Sequence, residues 1–524
     1  MQFLCRNIVA ISVGATLSVV AWLFGGARAG ELLRVLPWLL FIVLEAFLIF
    51  PQPHEMETTH QARSRVWKRL RKDPLVLIMG ATLVILAIPF MNCGLCNVCD
   101  YPKILLGANP RPPLPFLPFC VNRLEHLNVF LWFLGAFTLV AAVRYGCLKS
   151  GKRLVLHIVV WNGVALAVLG GIQIMYEIPG PLGQTFGAAK LDHFFSTFGY
   201  SNMAGCYFST LFALAVGLWR WEFEKVRELE KKEADRIQAP SSFRFWNRHY
   251  MLIAAVILFF AAMNTLSRAS IMLSSSMAVV FFAHAAASFL KRMSRARRFK
   301  ASAVCALVFV VLALLVVRYM PKDVRAEVDT IETRAVLDRV SGKYQCEQRA
   351  ALAILKDSPV FGCGGWGFVH FSAEKLSQRE KSNFEYAWGR VGRANVHNDW
   401  LQFAAEHGLV VLGLILAVVY LLISPVGRVW RALYAAVCFT KTKEQPPHPH
   451  ALFVIPAPAF CILVAAGAVV IHSFGDCPLR SAAVSMLFFT MLAAIDGFLP
   501  RVEDAPVKTA TREKERHHHH HASR

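Results

Sequence analysis

"IMLSSSMAVVFFAHAAASFLKRMSRARRFKASAVCALVFVVLALLVVRY", residues 271–319, decides the fold. Two apolar runs, 271–290 and 301–319, flank ten residues that hold six Lys or Arg. A helix of roughly 20 apolar residues crosses about 30 Å of hydrocarbon, and basic residues between spans collect on the cytoplasmic side. The stretch therefore reads as two membrane helices joined by a cytoplasmic connection.

Working outward, similar apolar segments recur at about 7–27, 31–50, 74–92, 126–143, 154–174, 203–219, 250–266, 408–424, 451–472 and 481–498. The first is too long for a signal-peptide core and reads as a retained helix. The spacing predicts an all-α polytopic membrane protein with about 12 transmembrane helices. Six Lys or Arg lie in 63–72, four in 144–153, eight in 220–249 and four in 425–450. All fall on one side if the N-terminus is inside, which puts both termini in the cytoplasm.

Composition agrees. Hydrophobic residues make up 56% of the 524 residues and charged residues only 17%, below the quarter or so usual in soluble proteins. Mean hydropathy is +0.45. The formal net charge of +22 would suggest nucleic acid in a soluble protein. Here its position between spans points to sidedness instead, and no nucleic-acid partner is expected.

Three longer connections fall outside: about 91–125, 175–202 and 320–407, the last within a single transmembrane domain of residues 1–500. Residues 501–524, with five consecutive histidines, read as a disordered cytoplasmic tail. Residues 222–237 read as a short charged cytoplasmic helix. In the first outer connection stand Cys93, Cys96, Cys99 and Cys120. Outside the cytoplasm this pattern favours disulfides, with unpaired thiols and a metal site as the other readings.

The loop 320–407 is the informative part. "CEQRAALAILKD", 346–357, fits a helix ended by Pro359; Gly362, Gly364, Gly365 and Gly367 then impose a tight backbone course. That turn lies close to substrate or is purely structural. "NVHNDWLQFAAEHGLVVLG" from Asn395 runs into the next span. It places His397 near the outer boundary, with Asn395 or Asn398 as helix cap.

"HNDWLQFAAEHG", "LKDSPVFGCGGWGF", "FFSTFGYSNMAG" and "MNTLSRAS" together resemble the O-antigen ligase and polymerase superfamily with its Wzy-C-type core. The resemblance covers about 197–410. It implies a GT-C-like fold with the large periplasmic loop between spans 9 and 10. It also implies a bacterial inner-membrane glycosyltransferase, without cofactor or metal, acting on the periplasmic side. The donor would be a glycan on undecaprenyl pyrophosphate. The acceptor would be lipid A–core in a ligase, another lipid-linked glycan in a polymerase, or a protein hydroxyl. A lipid-linked glycan transporter is the rival class, but no matched halves are visible.

Under that resemblance His397 is the catalytic or acceptor-positioning histidine, as base or leaving-group stabiliser. Arg268, in "LSRAS" between two spans, corresponds to the pyrophosphate-binding arginine; an intramembrane charge is otherwise expensive, and a guanidinium fork suits phosphate oxygens. A second cation is expected in the large loop, where this chain has Gly342–Lys343 in place of the usual Gly–Arg pair. Arg349 is favoured, then Arg339, then Lys343. Asn202, Asn398, Asp399, Glu406 and Gly364 complete the expected positioning residues. Glu406 lies nine residues after His397 and faces another side of a helix, so pairing with an arginine suits it better than a proton relay.

Overall fold

The computed structural model describes residues 2–26, 29–95, 113–183, 194–233, 241–291, 293–318, 320–329, 345–375, 395–439 and 455–500. Cys96, Cys99, Arg339, Lys343 and the histidine-bearing tail lie outside them. The fold is almost all-α. In chain order the helices are α1 (Gln2–Trp22), α2 (Ala29–Ile49), α3 (Thr59–Leu70), α4 (Pro74–Ala87), α5 (Arg123–Ala141) and α6 (Lys149–Met175). Then come α7 (Ser201–Glu233), α8 (Ser241–Asn264), α9 (Arg268–Lys291), α10 (Arg295–Arg318), α11 (Lys322–Asp329) and α12 (Gln345–Asp357). The series ends with α13 (Gly367–Phe371), α14 (Asp399–Phe439), α15 (Ala457–Gly475) and α16 (Ala482–Ala494). One pair of short parallel strands, β1 (Cys93–Leu95) and β2 (Cys120–Asn122), joins α4 to α5.

Every apolar segment lies on a helix, but about twelve spans is too many. Among the described residues eight helices are long and apolar enough to cross, or nine if the bent pair Thr59–Leu70 and Pro74–Phe90 is one span. Arg6–Trp22, His249–Asn264 and Ala482–Phe498 are apolar but fall in the 10–17 residue class. At 1.5 Å per residue these apolar stretches reach about 25 Å, at the short end for the hydrocarbon thickness, although α1 and α8 as whole helices are longer. The charged run 222–237 does not start a helix of its own either: its first part continues α7 to Glu233.

Local chemistry sets the helix starts. Asp73 caps α4, accepting from the Leu75 N–H at 3.0 Å, and Pro74 follows at the first helical position. Asn122 caps α5 and Ser481 caps α16 in the same way. Helix α10 shows why the chain needs a membrane. Its 18-residue apolar window has 0% of its residues buried in the protein, so only lipid can cover it. Helices α1, α5, α6, α7, α15 and α16 contribute to the packed centre, with Phe208, Leu156 and Phe488 fully buried.

The two ends of the bundle differ. At one end Thr197 Oγ1 donates to Ala21 O at 2.7 Å and Ser481 Oγ to Gly25 O at 2.6 Å. At the other, Gln52 Nε2 donates to Asn7 Oδ1 and to Ser150 Oγ, each at 3.1 Å. Arg65 donates to Gln52 O at 2.8 Å, and Lys152 pairs with Asp496 at 2.6 Å. The basic connections 63–72 and 144–153 thus meet at one end, and the loop motifs at the opposite one.

Candidate active site

The Pro-Gly turn and the start of α14 interlock through main-chain contacts. Cys363 N donates to Ala405 O at 2.9 Å, Gly364 N to Glu406 O at 2.7 Å and Leu409 N to Pro359 O at 2.8 Å. Gly408 breaks α14 at φ 74, where a Cβ would lie 2.1 Å from Val360 O. Gly364 has φ 88, and a Cβ there would lie 2.4 Å from Phe119 O. Only glycine fits both demands, left-handed backbone and close approach. The glycines of the two motifs are therefore one packing device.

This device places His397. Val396 is buried with Ala350, Ala351, Ile354 and Phe368, and its N–H donates to Gln402 at 2.9 Å. Asn398 caps α14, accepting from Leu401 N at 3.0 Å. Between them His397 adopts a left-handed φ of 54, an unusual backbone for a non-glycine residue that the surroundings must hold in place.

The partner of its ring is Asp476, between α15 and α16: His397 Nδ1 lies 3.1 Å from Oδ1. Asp476 also accepts from the Tyr200 hydroxyl at 2.8 Å, from the Asn202 amide and from its neighbour's N–H, Cys477, at 2.8 Å. Asn202 accepts in turn from Ser267 Oγ at 2.5 Å, and Arg268 follows Ser267 as the first residue of α9. The network thus ties the starts of α7, α9 and α14 to the end of α15. Burial alone would push the Asp476 carboxyl up. The hydrogen bond and charge of His397, with His472 and Tyr200, outweigh it and hold the group at about 2. Burial first, then the Asp476 charge, pushes the Tyr200 phenol up, so it stays a donor.

Asp399 does not touch this ring in the same way. Its Oδ2 accepts from Leu479 N at 2.8 Å, and its own N–H donates to Asp476 O at 3.3 Å. Glu406 is buried and pairs with Arg480, which is mostly buried. The Arg480 guanidinium also lies 4.5 Å from the Trp366 ring centre. Below this pair opens a cleft lined by Phe133, Trp400, Phe403, Ile415 and Phe488, with Asp399, Glu406 and Arg480 at its polar end. Arg349 stands on the exposed side of α12, whose opposite side packs against the start of α14. At the other edge, Cys93 and Cys120 are register partners across β1 and β2. Burial, then the Cys93 neighbour, pushes the Cys120 thiol up.

Residues 253–418 match the family model Wzy_C, described as O-Antigen ligase.

Residues 253–418 are thus similar to the O-antigen ligase superfamily, and that match supports an enzymatic, glycosyltransferase-like role. The matched O-antigen ligase region runs from within α8 into α14, and so includes Arg268, Arg349, His397 and Glu406. No curated protein matches the chain. Asn202, Tyr200, Asp476 and Arg480 lie outside the matched region but complete its hydrogen bonding. From the sequence, Asp476 is read only as an acid between the last two spans that could face the cavity, not as the partner of His397, and Arg480 is not singled out. Their one signal was isolation: an acid and a base in the short connection "GDCPLR" between two apolar runs.

Proposed function

We propose that the protein transfers a glycan from undecaprenyl pyrophosphate to an acceptor hydroxyl, with lipid A–core as acceptor. The carrying observation is the His397–Asp476 pair, held by Tyr200 and Asn202 one residue from Arg268 through Ser267. With Nδ1–H turned to the carboxylate, His397 Nε2 takes the acceptor hydroxyl proton. The hydroxyl oxygen bonds to the anomeric carbon as the bond from that carbon to the phosphate oxygen breaks. Arg268 receives the pyrophosphate, with a second cation from the large loop, Arg349 or Arg339. Arginine forks and dipoles fixed beforehand stabilise that developing charge better than water does. Asp476, ionised, favours the imidazolium that forms on His397.

The apolar cleft with its polar end supports a lipid-linked substrate. This reading keeps residues 1–500 as one GT-C-like transmembrane domain of the bacterial inner membrane. It puts both termini in the cytoplasm and the site toward the periplasm, the side opposite the basic connections. Asn398, Asp399, Glu406 and Gly364 position the site; no nucleic acid, cofactor or metal takes part in transfer.

The test is to incubate purified protein with an undecaprenyl-pyrophosphate-linked repeat unit, with and without lipid A–core. Product on the core alone supports ligation. Product growing on the carrier alone replaces ligation with polymerisation, and no glycosyl transfer under either condition overturns the reading.

A further inference from the structure

Cys477 adds something that glycosyl transfer does not require. Its thiol is buried, 1% exposed, immediately beyond Asp476. Its Sγ lies 3.3 Å from Asp476 Oδ1, and His397 Nδ1 lies 3.1 Å from the same oxygen. One donor atom from each of the three residues lies within 4.8 Å of the others. A tetrahedral zinc ion with bonds of about 2.0–2.3 Å sets its nitrogen and oxygen donors about 3.4 Å apart, and sulfur and oxygen about 3.6 Å apart. The observed spacings are within a few tenths of an ångström of those edges. Imidazole, carboxylate and thiolate are also the donor set that zinc selects over magnesium or calcium.

Two further features point to a cation. Tyr200 and Asn202 orient the Asp476 carboxylate from behind, as outer partners do for metal ligands. His472, one helical turn before Asp476, is 3% exposed, and neither of its ring nitrogens has a hydrogen-bond partner. A buried imidazole without a hydrogen-bond partner calls for an explanation, and this one lies on the last turn of α15, which leads into Asp476.

We propose that His397, Asp476 and Cys477 bind a soft divalent cation of the zinc type, and that its occupancy takes His397 away from the acceptor hydroxyl. The second half rests on the proposed transfer; the first does not. As the metal–sulfur bond forms, the Cys477 thiol gives its proton to solvent. His397 binds through its Nδ1 lone pair, so the ring proton sits on Nε2. That is the nitrogen that would have accepted the sugar proton, so the bound cation sets the wrong tautomer for transfer. No electron changes hands, and the fourth position stays open to water or a phosphate oxygen.

Cobalt(II) is a spectroscopic stand-in for zinc. Titrated into the purified full-length protein in detergent, one equivalent should produce a thiolate-to-cobalt charge-transfer band with the visible bands of a tetrahedral site. Zinc should abolish both. The charge-transfer band should vanish in Cys477→Ser, and cobalt affinity should fall at least about tenfold in His397→Gln. His397→Gln keeps the thiol, so it stays informative if the serine variant misfolds. A band of unchanged size in Cys477→Ser places the metal elsewhere, among Cys93, Cys96, Cys99 and Cys120, and overturns the assignment. So does the absence of any band, or unchanged affinity in His397→Gln. For the second half, transfer is compared with and without zinc. A fall of at least about tenfold on saturation, reversed by a chelator, is expected. Undiminished transfer by protein whose site is spectroscopically full overturns it. Wild-type protein inactive without zinc would instead count against the transfer reading, and leave the cobalt result standing.

Discussion

Asp476 and Asp496 are acids at opposite ends of the bundle, and they are compensated in different ways. Asp496 meets an ammonium: Lys152 Nζ lies 2.6 Å from its Oδ1. Beside it Lys149 donates to Leu499 O at 2.6 Å. The hydrogen-bond partners of Asp476 are a phenol, an amide, an imidazole, a thiol and a backbone N–H, with no lysine or arginine among them. An ion pair cancels the field of a carboxylate. Neutral dipoles hold the charge in place and leave its field to act on whatever turns positive nearby. The first arrangement fixes the end of α16. The second keeps a negative charge ready for an imidazolium on His397.

The comparison breaks first at the imidazole. His397→Ala should lower glycan transfer about 1000-fold, or about 4 kcal/mol of transition-state stabilisation, with unfolding temperature little changed. Near-normal turnover would reduce the Asp476 network to a structural clasp like that of Asp496. The next largest effect belongs to the buried Glu406–Arg480 pair, which is ionic like Lys152–Asp496 but 2% and 11% exposed. Removing one partner strands a buried charge. Glu406→Gln or Arg480→Met alone should therefore cost about 3 kcal/mol in unfolding, and the double variant should recover part of it. Additive losses in thermal unfolding would show that the two side chains act separately.

Asp476→Asn follows. It keeps the shape and loses the charge, so transfer should fall about 100-fold, or about 2.7 kcal/mol, with the protein still folded. The pH dependence has a definite sign. The carboxyl is held at about 2, below its ordinary value of 3.8. Its stabilising contribution is therefore complete above the ordinary value and is lost only as pH falls through about 2. Between pH 5 and 9 it stays ionised. Any acid limb of the transfer profile in that range should survive in Asp476→Asn, and its disappearance there would assign that limb to the carboxylate.

Much of this was legible in the sequence. The apolar segments and the basic connections between them located the helices and their two ends, because membrane solvation acts on composition alone. The four motifs led to His397, Arg268 and the Pro-Gly turn. The count of spans was not legible. A run such as 481–498 looks long enough, yet it follows the Pro478–Arg480 turn and ends in a 3-10 turn at Phe498. Asp476 was missed as partner of His397, which is 79 residues away in the chain. Asp399, two residues along, was the nearer acid, but α14 turns it to the Leu479 N–H instead. Sequence proximity favours the wrong carboxylate wherever a helix start points neighbouring side chains in different directions.

The smallest effect is the sharpest control. Asp496 is 32% exposed and its partner Lys152 only 6%, so water reaches the carboxylate and screens the pair. Asp496→Asn should cost about 1–2 kcal/mol in thermal unfolding, because it leaves the buried Lys152 ammonium with only an amide oxygen, and less at high salt. Transfer should stay within about twofold, because no charge develops at this end of the bundle during the reaction. Lys152 then retains an amide oxygen to meet, so the end of α16 stays pinned. A loss of transfer comparable to that in Asp476→Asn, with the fold intact, would mean that the two ends are coupled through α15 and α16. The contrast between a neutralised acid and a poised one would then fail.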